Sequence, residues 1–487
     1  MKRNFRPAMT WLHDWSGIIT GWLIFAIALS GTLSVFRPEI TVWMHPELTR
    51  ETADPIPAAE AAITWLSTHA PHSPDWYLDV PTPRAPFTLA LWSDKNGYVF
   101  RPLDPLTGSP DALRDTHGGE FFYRFHFELQ LPYPWGRLLA AIAAMALVLT
   151  LLTGIVAHRR FFADFFTFRP GKGQRSWLDA HNLLGVIALP FHLMIAFTGA
   201  VTLSTLLLPW GAQTLYKSDL TTAQHELHPA AIERPVTGKA TPLAPIGPIL
   251  RTAEQHFGKT GILSFYIENP GDQAAVITVT AGNTDSIGIT SHVISFDGTT
   301  GTILAEHTEH RPVITTFNVL YGLHVARFAP GITRWLYFLS GLMLTALTGT
   351  GLRLWTISRT RNTPRLSTTL VDRLNVGFIA GTPTAFASYF LANRLLPVSL
   401  ADRATLEIRT VFLTWAALLL FAALRPATKT WPELLSLAAI TCAAVALISA
   451  PWHRSVDATT ALTAFIFAAA FAAAARRAAL KKRHPTT

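Results

Sequence analysis

The sequence predicts an α-helical integral membrane protein built on a parallel internal repeat. Three observations carry that expectation. Charged residues make up 15% of the 487-residue chain against 49% hydrophobic, and mean hydropathy is +0.28; soluble chains carry about 25% charge. Apolar runs recur that are long enough, at about 17 residues or more, to cross a bilayer as helices. Two of these runs also share a skeleton. In "LHDWSGIITGWLIFAIALSGTLSVF" His13 precedes Gly17 and Gly31, and in "AHNLLGVIALPFHLMIAFTGAVTLS" His181 precedes Gly185 and Gly199, at the same spacings.

The net charge of +9 would suggest a nucleic-acid partner in a soluble protein. Here Lys and Arg crowd beside apolar runs, the positive-inside pattern, so membrane lipids and not nucleic acid are the expected surroundings. The single cysteine, Cys442, excludes intramolecular disulfides, thiolate zinc sites and iron–sulfur clusters held by this chain alone. "MKRNFRP" imitates a signal peptide, but the apolar run behind it is long for one and no Ala-x-Ala site follows, so an uncleaved helix is expected.

Apolar length places the elements and basic residues orient them. The first transmembrane helix falls within 1–36, with Lys2, Arg3 and Arg6 inside. Residues 37–134 form a first external domain, 135–157 a second helix, and 158–180 a basic cytoplasmic loop. A third helix covers 181–209, a second external domain 210–330, and a fourth helix 331–355, ending among Arg353, Arg359, Arg361 and Arg365. Four more spans fall in 374–475, at about 374–393, 409–424, 432–450 and 459–475; the Ala-rich runs in 409–475 also admit fewer, re-entrant segments. Eight spans leave both termini in the cytoplasm. "GKGQR" at 171–175 lacks the spacing of a phosphate loop.

The external segments look alike. Each has a helix candidate ("PAAEAAITWLSTHA", "PIGPILRTAEQHFG") and then alternating strand-like stretches ("FTLALW", "AAVITVTA"). Each reaches a similar turn, "LDPLTG" at 103–108 and "FDGTTG" at 296–301. In the second helix His126 precedes Gly136 and Thr153-Gly154; in the fourth, His324 precedes Gly331 and Thr348-Gly349. Residues 12–158 and 180–354 therefore read as two copies of helix, external domain, helix, running in the same direction.

A pseudo-twofold axis would set His13 opposite His181 near the cytoplasmic surface and His126 opposite His324 near the external one. Histidines facing each other across a four-helix core make an axial pair for a b-type haem, hence two haem b groups per chain. Eighteen residues are five helical turns, about 27 Å, so Gly31 and Gly199 would lie beside the outer haem, and Gly154 and Gly349 beside the inner one. Glycine there removes a side chain where a flat macrocycle must pass. A histidine at a helix end is ordinarily interfacial and glycines in membrane helices ordinarily serve close packing; the pairing of four histidines through a repeat is what favours ligation. His192 lies some 16 Å deeper than His181, with Ile24 as its unpaired counterpart. His158, matched to Arg353, is a further inner-haem contact or propionate partner. "HTEHR" (307–311) with His117 is a weaker external metal candidate, and His453 and His484 lie outside the spans.

The stretches "LHDWSGIITGWLIFAIALSGTLSVFR", "HGGEFFYRFHFEL", "TGIVAHRRFFADFFTFRPGKGQRSWLDAHNLLGVIALPFHLMIAFTGA" and "YGLHVARFAPG", spread over about 8–355, resemble the PepSY-associated transmembrane family of bacterial iron-regulated inner-membrane proteins, which includes ferric-siderophore reductases. The resemblance implies four core helices, two external PepSY domains and haem b held by membrane histidines, falling on His13, His126, His181 and His324, with His158 inside a family motif. The four C-terminal helices go beyond it. The preferred function is an oxidoreductase that reduces a ferric siderophore or other ferric chelate in the periplasm. An electron conduit to a periplasmic partner, and a non-redox PepSY binding module, are the alternatives. No nucleotide fingerprint is present, so quinol or a cytoplasmic reductase is the expected donor. Phe121, Phe122, Tyr123 and Tyr321 would line a cleft for the chelate or anchor at the interface.

Overall fold

The computed structural model describes residues 2–483 except 50–51, 96, 159–166, 209, 218, 220–221, 223–225, 228, 283–285, 290–291 and 361–365. The basic stretch 159–166 of the expected cytoplasmic loop, Arg361, Arg365 and His484 lie outside the described residues. The chain divides into two compact units, one of residues 1–44, 118–203 and 331–487, the other of 45–117 and 204–330.

The first unit is helical. It contains α1 (Lys2–Ser34), α2 (Arg37–Met44), α4 (Glu120–Glu128), α5 (Trp135–Ala157), α6 (Gln174–Ile187), α7 (Leu189–Thr202) and α10 (Gly331–Thr360). It also holds α11 (Leu366–Ile379), α12 (Gly381–Leu395), α13 (Arg403–Leu424), α14 (Ala427–Ile448) and α15 (Ser455–Arg483). The second unit holds α3 (Pro55–His69), α8 (Ile246–Phe257), α9 (Pro312–Val325) and seven strands.

Among the described residues six helices are long and apolar enough to cross a membrane: those starting at Phe5, Trp135, Gly331, Arg403, Ala427 and Ser455. Their outer faces are apolar in stripes. Along α5, Leu139, Ile142, Met145, Leu149, Leu152 and Val156 are all exposed, a face suited to lipid and costly in water.

Two expected spans differ from single helices. The run 181–209 is broken at Ala188, where α6 and α7 meet at 70°; Pro190 in the first turn of α7 has no N–H to continue the α6 ladder. The run 374–393 is α11 and α12, parted at Ala380 beside Gly381 and Pro383, and neither piece has the length of a span. The pair nevertheless traverses the unit. Asp372 of α11 pairs with Arg353 of α10, whereas Arg394 of α12 donates to the Trp43 carbonyl of α2, 2.7 Å. Buried Asn375 anchors the break: it accepts from Trp22 Nε1 at 2.7 Å and donates to the Leu352 carbonyl at 3.0 Å.

In the second unit the segments expected to form two external domains share one sheet. Strands β1 (Asp75–Asp79), β2 (Thr88–Asp94) and β3 (Gly97–Leu103) of the first join β4 (Ile262–Glu268), β5 (Val276–Ala281), β6 (His292–Asp297) and β7 (Ile303–Thr308) of the second in one antiparallel sheet, ordered β3-β2-β1-β4-β5-β6-β7. The junction is β1 against β4, with Tyr77 opposite Tyr266. Pairing the two central strands removes an edge from each half, a sheet's usual liability. Helix α8 presents Ile246, Ile249, Leu250, Ala253 and Phe257 to the sheet's core and α3 presents Ala59, Ala62 and Leu66, both helix-period stripes. The two matching turns are built alike: the carboxylates of Asp104 and Asp297 accept main-chain N–H groups two and three residues on, and Gly108 and Gly301 close each turn at φ +69° and +75°.

Candidate functional site

Within the helical unit, α1, α5, α6 and α10 enclose a cavity of about 430 Å³, a size usual for small-ligand sites. Its wall is mostly aliphatic (Ile18, Ile24, Leu147, Leu151, Leu344), and its mouth is polar (Asp14, His158, Gln174, Ser358, Arg359). Among the described residues three histidines line it, His158 and the pair His13 and His181. His13 and His181 have ring centroids 6.3 Å apart and planes inclined at 67°.

Each ring is fixed by its Nδ1. His13 reaches the Thr150 carbonyl of α5 at 2.9 Å, and His181 the Leu347 carbonyl of α10 at 3.0 Å. A carbonyl only accepts, so Nδ1 carries the proton in both and Nε2 keeps its lone pair. That is the arrangement in which metal-ligating histidines are usually held. With about 2 Å from metal to nitrogen and about 1 Å from nitrogen to ring centre, an ion between two imidazoles sets their centroids about 6 Å apart.

The helices can be approached this way because of glycine. A helical carbonyl at position i points at residue i+4, so the Cβ of residue i+4 guards it. Gly154 stands four residues after Thr150, and a Cβ there would lie 3.0 Å from His13 Cε1. Gly351 stands four after Leu347, and its Cβ would lie 3.1 Å from His181 Cε1. The same device recurs at the other end of α1. His126 of α4 bonds the Ile27 carbonyl at 2.8 Å, and a Cβ on Gly31 would fall 2.5 Å from its Nδ1.

These contacts revise the expected roles. The glycines accommodate the imidazoles that cross between helices, whereas the sequence suggested room for a macrocycle. Gly349 is not the partner of Gly154: its Cβ would meet Phe25 at 3.3 Å, and Gly351 takes the place beside His181. Thr150 to Leu347 and Gly154 to Gly351 share one offset of 197 residues. His158 thus aligns with Trp355, not Arg353, and both line the cavity. The tandem "TGTG" at 348–351 offers two registers, and the one that meets His181 is the second.

Other candidates fall elsewhere. Gly199 lies in α7, its carbonyl accepting from Thr202 Oγ1 at 2.8 Å. His324 lies in the last turn of α9, in the second unit. His192 is fully buried, outside the residues described as lining the cavity. Phe121 and Phe122 line no cleft: both are fully buried, packed on Phe386, Tyr389 and Phe390. Tyr123 lies under the Arg37 guanidinium, and Tyr321 stacks on Phe317. In "HTEHR", His307 sits 3.5 Å from Glu309. Among the described residues no group of three or more His, Cys, Asp or Glu side chains has metal-holding spacing. Two imidazoles alone leave most of a metal's coordination sphere to be supplied by a bound macrocycle, and the donor set and the cavity fit one.

Apolar spans, lipid-facing stripes and a histidine-lined cavity between four helices define a multi-pass helical membrane protein. Comparison with known families agrees: the PepSY-associated TM region matches residues 10–357, and the chain belongs to that family. It is also 29% identical over 358 residues to the uncharacterized protein PA4219 of Pseudomonas aeruginosa, covering 68% of this chain and 87% of that one.

Proposed function

We propose that this chain is a transmembrane di-haem b electron-transfer protein of a bacterial inner membrane, reducing ferric iron held in an external siderophore or other chelate. The observation that carries the reading is the pair His13 and His181, each with Nδ1 held by a main-chain carbonyl and their rings 6.3 Å apart across the cavity. These two would hold the inner haem. Arg359 and His158 at the mouth would receive its propionates, and the aliphatic wall would keep water from the iron. His126, fixed in the same manner, supports an outer site. Haem supplies reversible one-electron chemistry. The net reaction is one-electron reduction of chelated Fe(III) to Fe(II), which such ligands hold far less tightly.

Support for both termini being cytoplasmic comes from the basic clusters and from contacts inside the helical unit. Arg6 near the start of α1 donates to the Ala157 carbonyl at the end of α5, and Ala475 late in α15 packs with Ala427 at the start of α14. Quinol or a cytoplasmic reductase is the proposed donor. Burial of Phe121 and Phe122 removes a feature that favoured direct docking of a chelate, so a conduit to a periplasmic redox partner stands as the second reading. Purified protein should give a low-spin b-type spectrum with two haems per chain, one lost in His13→Ala or His181→Ala. Anaerobically reduced protein should reoxidise on adding a ferric hydroxamate, with Fe(II) trapped by a ferrous-specific dye. Absence of haem sinks the redox readings; reoxidation by periplasmic extract but by no chelate selects the conduit.

A further inference from the structure

The family match ends at residue 357, leaving α11–α15 without an assigned role. Their packing supplies one. Helix α4, which carries His126, has nine residues, too few to persist on its own side chains and hydrogen bonds. One face sends His126 to α1. The adjoining face presents Phe121, Phe122 and Phe125, all buried, to the C-terminal helices, with Phe122 one turn before His126. Phe121 lies 4.6 Å from Tyr389, and Phe122 and Phe125 lie 5.3 and 5.4 Å from Phe386, ring centre to ring centre. The Tyr389 hydroxyl donates to the Gly118 carbonyl just before α4, 3.1 Å.

The same helices hold α2, the other segment leading out of the core. The Arg394 guanidinium covers the Trp43 ring at 4.2 Å, Trp43 Nε1 donates to Ser449 Oγ at 3.2 Å, and Arg454 donates to the Val42 carbonyl at 3.0 Å. Lipid would satisfy an apolar face of α4, but its acyl chains could neither fix the helix's rotation nor make these bonds. Interlocked rings hold one arrangement.

We infer that the C-terminal helices are a clamp that positions His126, with Phe386 and Tyr389 as the positioning residues. The clamp sets the imidazole's orientation and so the electronic state of the metal it would ligate. The inference rests on the haem reading for that consequence, whereas the clamp itself is readable without haem.

The experiment uses the purified full-length chain with Phe386→Ala, Tyr389→Phe and, as a control inside the C-terminal bundle, Phe467→Ala, which packs on Phe471. Potentiometric titration, low-temperature EPR and hydrogen exchange are read on each. Phe386→Ala should shift the midpoint potential of one haem only, move part of its low-spin signal to high-spin, and speed amide exchange over 121–128 roughly tenfold. Tyr389→Phe keeps the ring, so both potentials should stay at wild-type values, with faster exchange confined to the start of α4. Phe467→Ala should lower thermal stability while leaving both potentials and α4 exchange unchanged. Unchanged potentials and exchange in Phe386→Ala, or the same shifts in Phe467→Ala, overturn the clamp. If wild-type protein carries no haem, the haem reading fails by itself. Exchange over 121–128 then decides: faster in Phe386→Ala alone upholds the clamp, and no difference overturns it.

Discussion

Replacing Gly31 by Ala separates the stability of the fold from the geometry of the site. The added Cβ would stand 2.5 Å from His126 Nδ1 and 2.6 Å from Cε1. Unbonded heavy atoms rest at about 3.5 Å or more, so the ring must retreat by about 1 Å. The Nδ1 to Ile27 carbonyl distance, 2.8 Å, then passes beyond hydrogen-bonding range. Losing that bond costs about 1 kcal/mol. Alanine in place of a mid-helix glycine returns about 1 kcal/mol through helix propensity. The two nearly cancel, so thermal unfolding should stay within a few degrees of wild type while the imidazole is displaced. The haem content of purified Gly31→Ala should therefore fall from two toward one per chain by pyridine haemochrome assay. Gly17→Ala is the control: its Cβ would meet only Thr150 Cγ2, at 4.0 Å, and both haems should remain. Full low-spin haem in Gly31→Ala, at wild-type stoichiometry, would refute the claim that the glycine exists to admit the histidine.

Three further outcomes follow from the geometry. Gly351→Leu should abolish the inner haem by displacing His181, while Gly349→Leu, which meets Phe25 and Ile379, should lower thermal stability and keep both haems; the opposite pattern would restore the first register of "TGTG". Alkaline phosphatase fused after Gly108 or Gly301 should be active, since every dense Lys/Arg cluster then lies inside, and an inactive fusion at either turn contradicts the topology. The third concerns pH. Arg311 beside Glu309 holds that carboxyl down at about 2. A depressed carboxyl stabilises the folded form above its unfolded pKa and ceases to as pH falls through the folded value. Glu309→Gln should thus lower the melting temperature at pH 7, and the gap from wild type should close as the pH is taken from about 5 toward 2; a constant gap across that range removes the ion pair from the account.

The membrane class, the first, second and fourth helices and the helix–strand order of the segments between them were legible because each rests on local pattern: apolar length, strand alternation, turn letters. What failed was non-local or depended on a break. Nothing in "FTLALW" or "AAVITVTA" says whether two half-sheets stand apart or join. That depends on the exposed edges of β1 and β4, and a strand's edge has no sequence signature of its own. The break at Ala380 was signalled by Gly377, Gly381 and Pro383, but the apolar length of 374–393 outweighed them. At Ala188 the signal was weaker, a single proline two residues on.

The site was legible as residue types and not as contacts. Spacing singled out His13 and His181, whose rings lie 6.3 Å apart, and it singled out Gly31 and Gly154. It misread what those glycines do, because helical period relates residues on one helix while the hydrogen bond crosses to another. The missing rule is short: an imidazole reaches a helical carbonyl where the residue four positions later has no Cβ. Applied to α10 it corrects what spacing selects: Gly349 lies five turns after Gly331, but Gly351 stands four residues after the carbonyl that His181 meets. The rule explains Gly31 with Ile27 and Gly154 with Thr150 on the same terms. Three unrelated packing accidents would not put the glycine at the same offset from the accepted carbonyl each time, so the glycines and histidines are one device. Its effect at His13 and His181 is to commit Nδ1 to a carbonyl, so that the lone pair each ring keeps is on Nε2.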